Sequence, residues 1–330
     1  MNDRYDVVGI GNALVDVLAR VEDEFLAENG IEKGIMTLID TARATELYGR
    51  MGPAIEISGG SGANTIAGLA MLGSRAAYVG KVKDDQLGAI FAHDIRALGA
   101  TFETPMATGD HDFDTGRCMV LVSPDGERSM NTYLGVSEHL SPSDIDESMM
   151  ERADWLYLEG YRFDGPDSVG AFARAVAACK RGGGRASVTL SDPFCVDRHR
   201  DAFRRMIRDD LDLLFANEHE VMSLYQTSSL EAALDACAKD VRLAAVTVGP
   251  KGAWVIEDGK RALVPTPPVQ VVDATGAGDL FAAGFLHGLA RGRAPKICAR
   301  MGCVAAAEII SHIGARPEVD LKALMAKNGM

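Results

Sequence analysis

Asp279 closes a run, Asp273-Ala274-Thr275-Gly276-Ala277-Gly278-Asp279, that leads straight into the apolar stretch Leu280-Phe281-Ala282-Ala283-Gly284-Phe285. The spacing places one carboxylate in the first turn of a helix, directly after a turn of small residues. Such a turn can expose the N–H groups of Gly276, Ala277 and Gly278 at the positive end of the helix dipole. Anions such as phosphate bind at that position. A carboxylate there can take the proton of an attacking hydroxyl, so anion site and base together are what phosphoryl transfer to an alcohol requires. The same residues also make an ordinary helix start, because Thr and Asp cap helices and Gly is common in turns.

Other residues bear on that choice. Gly59-Gly60-Ser61-Gly62-Ala63-Asn64 is a second glycine-rich helix start. Without a Cβ at Gly60 a ligand can approach the backbone closely, and Asn64 can both donate and accept, which suits a sugar hydroxyl. Asp16 stands alone in an apolar stretch; it either pairs locally or faces a cleft, where its carboxylate can accept bonds from vicinal hydroxyls. Arg128 follows a hairpin turn, as a solvated loop residue or as one that swings over a cleft toward transferring phosphate. Asn217 and Glu220 share a face at a helix start. They read as an N-cap with favourable acidic charge, or as holders of a hydrated Mg²⁺. Thr247, Gly249 and Gly252 surround a turn after a strand, where parallel sheets bind ligands. Gly9-Ile10-Gly11-Asn12-Ala13-Leu14 imitates a dinucleotide fingerprint, but Leu14 takes the third glycine position and strand-like residues follow, which disfavours a dinucleotide-binding helix.

The elements that must position these residues alternate. Strands are expected over 7–10, 76–79, 155–158, 186–190, 213–215, 243–248 and 253–256. Helices are expected from about 59 to 72 and over 86–98, 167–179, 197–206, 218–225, 230–238, 275–289, 295–311 and 319–327. This is βαβ grammar. It is interrupted by 13–58, with strands near 35–39 and 55–58 and a helix near 41–51, and by a hairpin over 117–133. The reading is an α/β core of 1–12, 59–100 and 136–330, with 13–58 and 101–135 joining as one β-only lid.

The chain has 330 residues, enough for one large α/β domain with an appendage. Lys and Arg number 34 against 47 Asp and Glu, and the resulting net charge of −13 argues against nucleic acid and anionic membranes as partners. Six scattered cysteines without a C-x-x-C pair argue against zinc or disulfide frameworks. No signal peptide or membrane-length apolar run is recognisable, and a cytoplasmic location is expected. Ile39, Ile55 and Ile57 could give the lid an apolar face suited to a homodimer.

In this order the two glycine signatures, Asn217-x-x-Glu220 and the split lid resemble the ribokinase-like (PfkB) carbohydrate and nucleoside kinases over essentially the whole chain. The resemblance implies a three-layer, doubly wound, mostly parallel sheet with a small β-sheet lid, and ATP and Mg²⁺ as cofactors. It implies Asp279 as catalytic base, Gly276, Ala277 and Gly278 as the anion hole, and Arg128 as a lid arginine. Asp16, Gly60 and Asn64 would hold substrate hydroxyls. Asn217 and Glu220 would organise phosphate and Mg²⁺, the latter through water, and Thr247, Gly249 and Gly252 would form the nucleotide loop. Gly11-Asn12-x-x-x-Asp16 and His312-Ile313-Gly314-Ala315-Arg316-Pro317 look most like adenosine kinases, which makes Asn12 a substrate residue and Tyr161 a stacking surface for a base. Arg162 departs from that pattern; a guanidinium there could stack on a base or bind an acidic sugar. Expected is therefore phosphorylation of adenosine to AMP. The alternatives are a kinase of ribose, fructose or 2-keto-3-deoxygluconate, and a nonenzymatic nucleoside-binding protein.

Overall fold

The computed structural model describes residues 4–109 and 113–330. Met1–Asp3 of the expected core and residues 110–112 of the expected lid lie outside the described residues.

Strand Tyr5–Ile10 shows why a layered core forms. Its side chains alternate, with Val7 in one apolar cluster and Val8 and Ile10 in another. Neighbouring Ala153–Glu159 does the same, sending Trp155 and Tyr157 one way and Leu156 and Leu158 the other. A strand apolar on both faces needs cover on both. Helices Ser61–Met71, Ala277–Ala290 and Pro295–Ile309 cover one face, and Ser168–Arg181, Pro193–Asp209 and Leu230–Asp240 the other.

The nine-stranded sheet runs Lys260–Val264, Ala253–Glu257, Leu243–Thr247, Leu213–Asn217, Arg185–Thr189, Ala153–Glu159, Tyr5–Ile10, Ala76–Val79, Thr101–Phe102. All neighbours are parallel except the pairs involving Ala253–Glu257. From Tyr5–Ile10 the chain winds first toward Ala76–Val79 and later, from Ala153–Glu159, in the opposite direction. The carboxyl ends of Tyr5–Ile10 and Ala153–Glu159 are thus a topological switch point, where such sheets bind ligands.

The second sheet has five strands, ordered Met36–Leu38, Arg128–Tyr133, Gly116–Val122, Leu14–Arg20, Ile55–Gly59. Leu14–Arg20 follows the first strand where a dinucleotide fold would place a helix. The small sheet is not β-only: Asp23–Glu28 and Thr41–Arg50 pack on it, with Phe25, Ile39 and Leu47 against Met119 and Tyr133. Ile39 therefore belongs to the helix-covered face, whereas Ile57 and Ile55 pair with Asp16 and Leu18 on the other. The three isoleucines do not form one face.

Two core elements also differ from expectation. The helix expected to open at 197 opens at Pro193, because Asp192 accepts the Cys195 N–H at 2.6 Å and Pro suits the first helical position. Lys260–Val264, with its charged start, adds an antiparallel edge strand.

Candidate active site

Gly276 caps Ala277–Ala290 with φ 78°, a left-handed conformation that other residues rarely adopt. The Ala277 N–H donates to the Ala274 carbonyl at 3.3 Å. Those of Gly276 and Gly278 find no acceptor among the described residues, and a Cβ on Gly278 would meet open space. Of the three N–H groups expected to form an anion hole, that of Ala277 is thus already engaged. One turn on, Asp279 is held from across the cleft. Ser61 Oγ donates to Oδ1 at 2.6 Å and Asn64 Nδ2 to Oδ2 at 2.9 Å. Burial raises its pKa, and those two bonds and the Arg316 charge work against the rise.

The other glycine signature is built differently. Gly60 caps Ser61–Met71 with φ 91°, and a Cβ there would stand 2.4 Å from the Asn12 carbonyl oxygen. The N-terminal end of this helix is already occupied by a side chain. Glu159 Oε2 accepts the N–H groups of Gly62 at 2.8 Å and Asn12 at 3.2 Å. Burial pushes the Glu159 carboxyl up to about 7, against the pull of those two donors and of Arg162.

Asn12, Asp16, Gly60, Asn64 and Tyr161 line one cavity, of about 350 Å³, beneath the small sheet. Burial pushes the Asp16 carboxyl up to about 6, while Arg316 and Arg128 pull it down. Met36, Leu38, Met130 and Leu134 add apolar side chains to its lining beside Tyr161's. Arg162 is absent from that lining. It is 1% exposed, and its guanidinium donates to Asn12 Oδ1 at 3.0 Å, Ser137 O at 2.6 Å, Leu140 O at 3.0 Å and Ser168 Oγ at 2.8 Å. Neither open role for Arg162 fits this; it fastens Asn12. Arg128 lines neither this cavity nor the one beside it. It is buried in an ion pair with Asp273 at 2.6 Å, and Asp273 also accepts the N–H groups of Thr275 and Gly314. The lid arginine thus latches the small sheet to the loop before the anion hole.

A second cavity, of about 400 Å³, is lined by Thr247 and Gly249, and Ser61, Asn217, Glu220, Gly278 and Asp279 border both cavities. The two meet at Asp279 and the Gly276–Gly278 turn. Gly252 lies in neither. Its φ of 103° accounts for glycine at that strand turn, as does the Val264 carbonyl oxygen, 2.0 Å from where a Cβ would stand. Asn217 and Glu220 form a reciprocal cap. The Asn217 N–H donates to Glu220 Oε2 at 2.8 Å, and Asn217 Oδ1 accepts the Glu220 N–H at 2.9 Å. Burial pushes Glu220 up to about 7. Among the described residues no group of three or more His, Cys, Asp or Glu could cage a metal. One carboxylate at the border of two cavities fits an ion held mainly by phosphate and water, as Mg²⁺ is.

Sequence reasoning missed Ser61, Glu159 and Arg316 as site residues. Ser61 had a signal in its place inside the glycine signature. Glu159 had its position at a strand end. Arg316 stood in the tail motif His312–Pro317, but nothing local placed it against Asn64, 252 residues away.

A doubly wound sheet with a buried carboxylate between two cavities is an arrangement suited to a phosphotransferase. The chain belongs to the pfkB family of carbohydrate kinases, whose family model matches residues 38–321. It is similar to the crystal structure of adenosine kinase from Sinorhizobium meliloti, at 47% identity and TM-score 0.92 over 99% of this chain and 100% of that one. It is equally similar to a probable sugar kinase protein from Rhizobium etli CFN 42, at 46% identity and TM-score 0.92 over 99% of both chains. An ATP-dependent ribose-1-phosphate kinase of Halopiger xanaduensis is 34% identical over 69% of this chain and 72% of that protein. The protein is thus a kinase acting on sugars or nucleosides, and a nonenzymatic binding protein is set aside. Among the described residues no helix is long and apolar enough to cross a membrane.

Proposed function

We propose that the protein transfers the γ-phosphoryl group of ATP to the primary alcohol of adenosine, giving AMP and ADP. The observation that carries this reading is that the two cavities meet at Asp279 and the Gly276–Gly278 turn. The alcohol lies in the cavity of Asp16 and Asn64, its ring hydroxyls bonded to those side chains. Asp279 accepts the proton as the alcohol oxygen attacks phosphorus. The bond from the γ-phosphorus to the bridging oxygen breaks, and the free N–H groups of Gly276 and Gly278 stabilise charge on the transferring group. Mg²⁺, when bound, supplies charge neutralisation on the phosphates. Glu220, with Asn217, is the protein's contribution to placing it.

The acceptor cavity supports a nucleoside over a free sugar. Its apolar lining of Met36, Leu38, Met130 and Leu134, together with Tyr161, suits a flat base, and a free pentose has no such surface to bury. With the Arg162 guanidinium consumed by Asn12 and backbone carbonyls, it does not offer a cation to a sugar acid. The adenosine kinase of Sinorhizobium meliloti, at 47% identity, points the same way.

ATP consumption with adenosine, inosine, ribose, fructose and 2-keto-3-deoxygluconate tests the substrate. Adenosine should give the highest kcat/KM; strong turnover of a free sugar with none of adenosine rejects the reading. The base is tested separately. Asp279→Asn should retain binding of both substrates and lose about 10²- to 10⁴-fold in kcat, and near-normal turnover would remove Asp279 from the chemistry.

A further inference from the structure

Arg316 lies in an irregular segment near the end of the chain, yet its guanidinium reaches the Asn64 side chain that holds Asp279. One nitrogen, Nη1, donates to Asn64 Oδ1; the other, Nη2, donates to the Ser58 carbonyl at 2.6 Å and to Ser58 Oγ at 3.1 Å. Asn64 passes the contact on, because its Nδ2 donates to Asp279 Oδ2 at 2.9 Å. Chemistry fixes the direction of this chain. A guanidinium offers only donors and an ionised carboxylate only acceptors, so the amide between them has one orientation that satisfies both. The segment is itself anchored, Gly314 N–H donating to Asp273 Oδ2 at 2.9 Å and Ala315 packing on Gly276.

We propose that Arg316 is the positioning residue of the catalytic base: through Asn64 it aligns the Asp279 carboxylate, and its charge is the counter-ion that lets Asp279 and Asp16 face one alcohol as two anions. This rests on the reading of Asp279 as the base. The charged and titratable groups around the pair come from every element packed there. Asp16 stands on strand Leu14–Arg20, Asp94 on helix Gln86–Ala97 and Tyr78 on strand Ala76–Val79. Arg128 faces Asp16, and Tyr157, Glu159, Tyr161 and Glu220 sense Asp279. Arg316 is the cation that acts on Asp279. Asp94 accepts the Ser58 N–H at 3.0 Å, so Ser58 is gripped from both sides and the fork is held rigidly.

The test compares the pH dependence of kcat/KM for wild type, Arg316→Met and Arg316→Lys, using the alcohol that the substrate panel identifies. Removing a cation from beside a carboxylate raises its pKa by about 1–3 units. The acid limb of Arg316→Met should therefore move up in pH by that amount, with turnover recovering at alkaline pH. Arg316→Lys keeps the charge and loses the fork; its limb should stay near that of wild type while kcat falls. A purely structural arginine would lower Tm and leave the limb in place, and that result overturns the proposal. If Arg316→Met does not fold, the Lys variant decides: an acid limb that shifts although the charge is kept, or a kcat that does not fall, contradicts the proposal. Adding Arg316→Lys to Asp279→Asn should cost no further kcat, because the group it aligns is gone; full additivity also overturns the proposal. Near-normal turnover of Asp279→Asn alone would instead mean that the base reading has failed.

Discussion

Glu159 and Asp279 are carboxylates of neighbouring helix starts with opposite tasks. Glu159 accepts the Gly62 N–H at the start of helix Ser61–Met71 and the Asn12 N–H beside it; Asp279 is held by side chains and keeps one face toward the cavities. The Glu159 carboxyl is pushed from 4.5 to about 7 in the folded protein. A raised value means that folding favours the protonated form. The contribution to stability is complete below pH 4.5 and is lost as pH climbs through about 7. Glu159→Gln removes this titration, so between pH 4.5 and about 7 Tm should fall more steeply for wild type than for the variant. Parallel slopes would show that Glu159 does not titrate there. Residue types at the cleft were legible where chemistry is local: Asp279 and Asn64 stand in glycine-rich motifs, whereas Asp16 stood alone with two readings open until its place in the cavity was seen. Arg162 and Arg316 were not, because a guanidinium on a long stem is assigned only by what surrounds it. One is buried among carbonyls and the other reaches across the cleft, and neither distance is written in the neighbouring sequence.

At the scale of elements, hydrophobic runs bounded by glycine gave the parallel strands and their helices. What escaped were elements carried by tertiary cover rather than by pattern. Asp23–Glu28 is six residues, too short to stand alone, and exists because Phe25 and Leu26 pack on the small sheet. The helix start at Pro193 was readable from Asp192-Pro193, a capping residue followed by a first-turn proline. The sharpest local demand is at Gly60. A side chain there meets the Asn12 carbonyl oxygen at 2.4 Å and must adopt φ 91°. Gly60→Ala should lose about 1–3 kcal/mol of stability. Because the strain falls on Asn12, KM for the alcohol should rise more than KM for ATP; equal changes in both would place the damage elsewhere.

The whole molecule is two sheets, and buried polar contacts rather than apolar packing alone join them near the site. Arg128 pairs with Asp273, and Arg316 ties Ser58 at the base of the small sheet to the core. The Arg128–Asp273 pair is buried on both sides, at 7% and 6% side-chain exposure. Truncating one member of such a pair costs about 3–5 kcal/mol. Arg128→Met should accordingly loosen the small sheet first. Amide exchange should quicken in Gly116–Val122 and Arg128–Tyr133 more than in Ala153–Glu159, and turnover should fall as water enters. Uniform quickening across both sheets would mean that the pair supports the fold generally and is no latch.

The stopper that Glu159 puts in one helix end has a consequence for traffic through the protein. Of the two helix starts, one has its Gly62 N–H taken by Glu159, while the Gly276 and Gly278 N–H groups of the other find no acceptor among the described residues, so a loose anion finds its more open address beside Asp279. Sulfate or inorganic phosphate should behave as a competitor of ATP and leave the apparent affinity for the alcohol untouched. Glu159→Gln, by partly opening the helix start that Glu159 occupies, should make the same salts begin to compete with the alcohol. An enzyme that sets a carboxyl of its own on the acceptor side keeps the donor's cargo from docking at the wrong door.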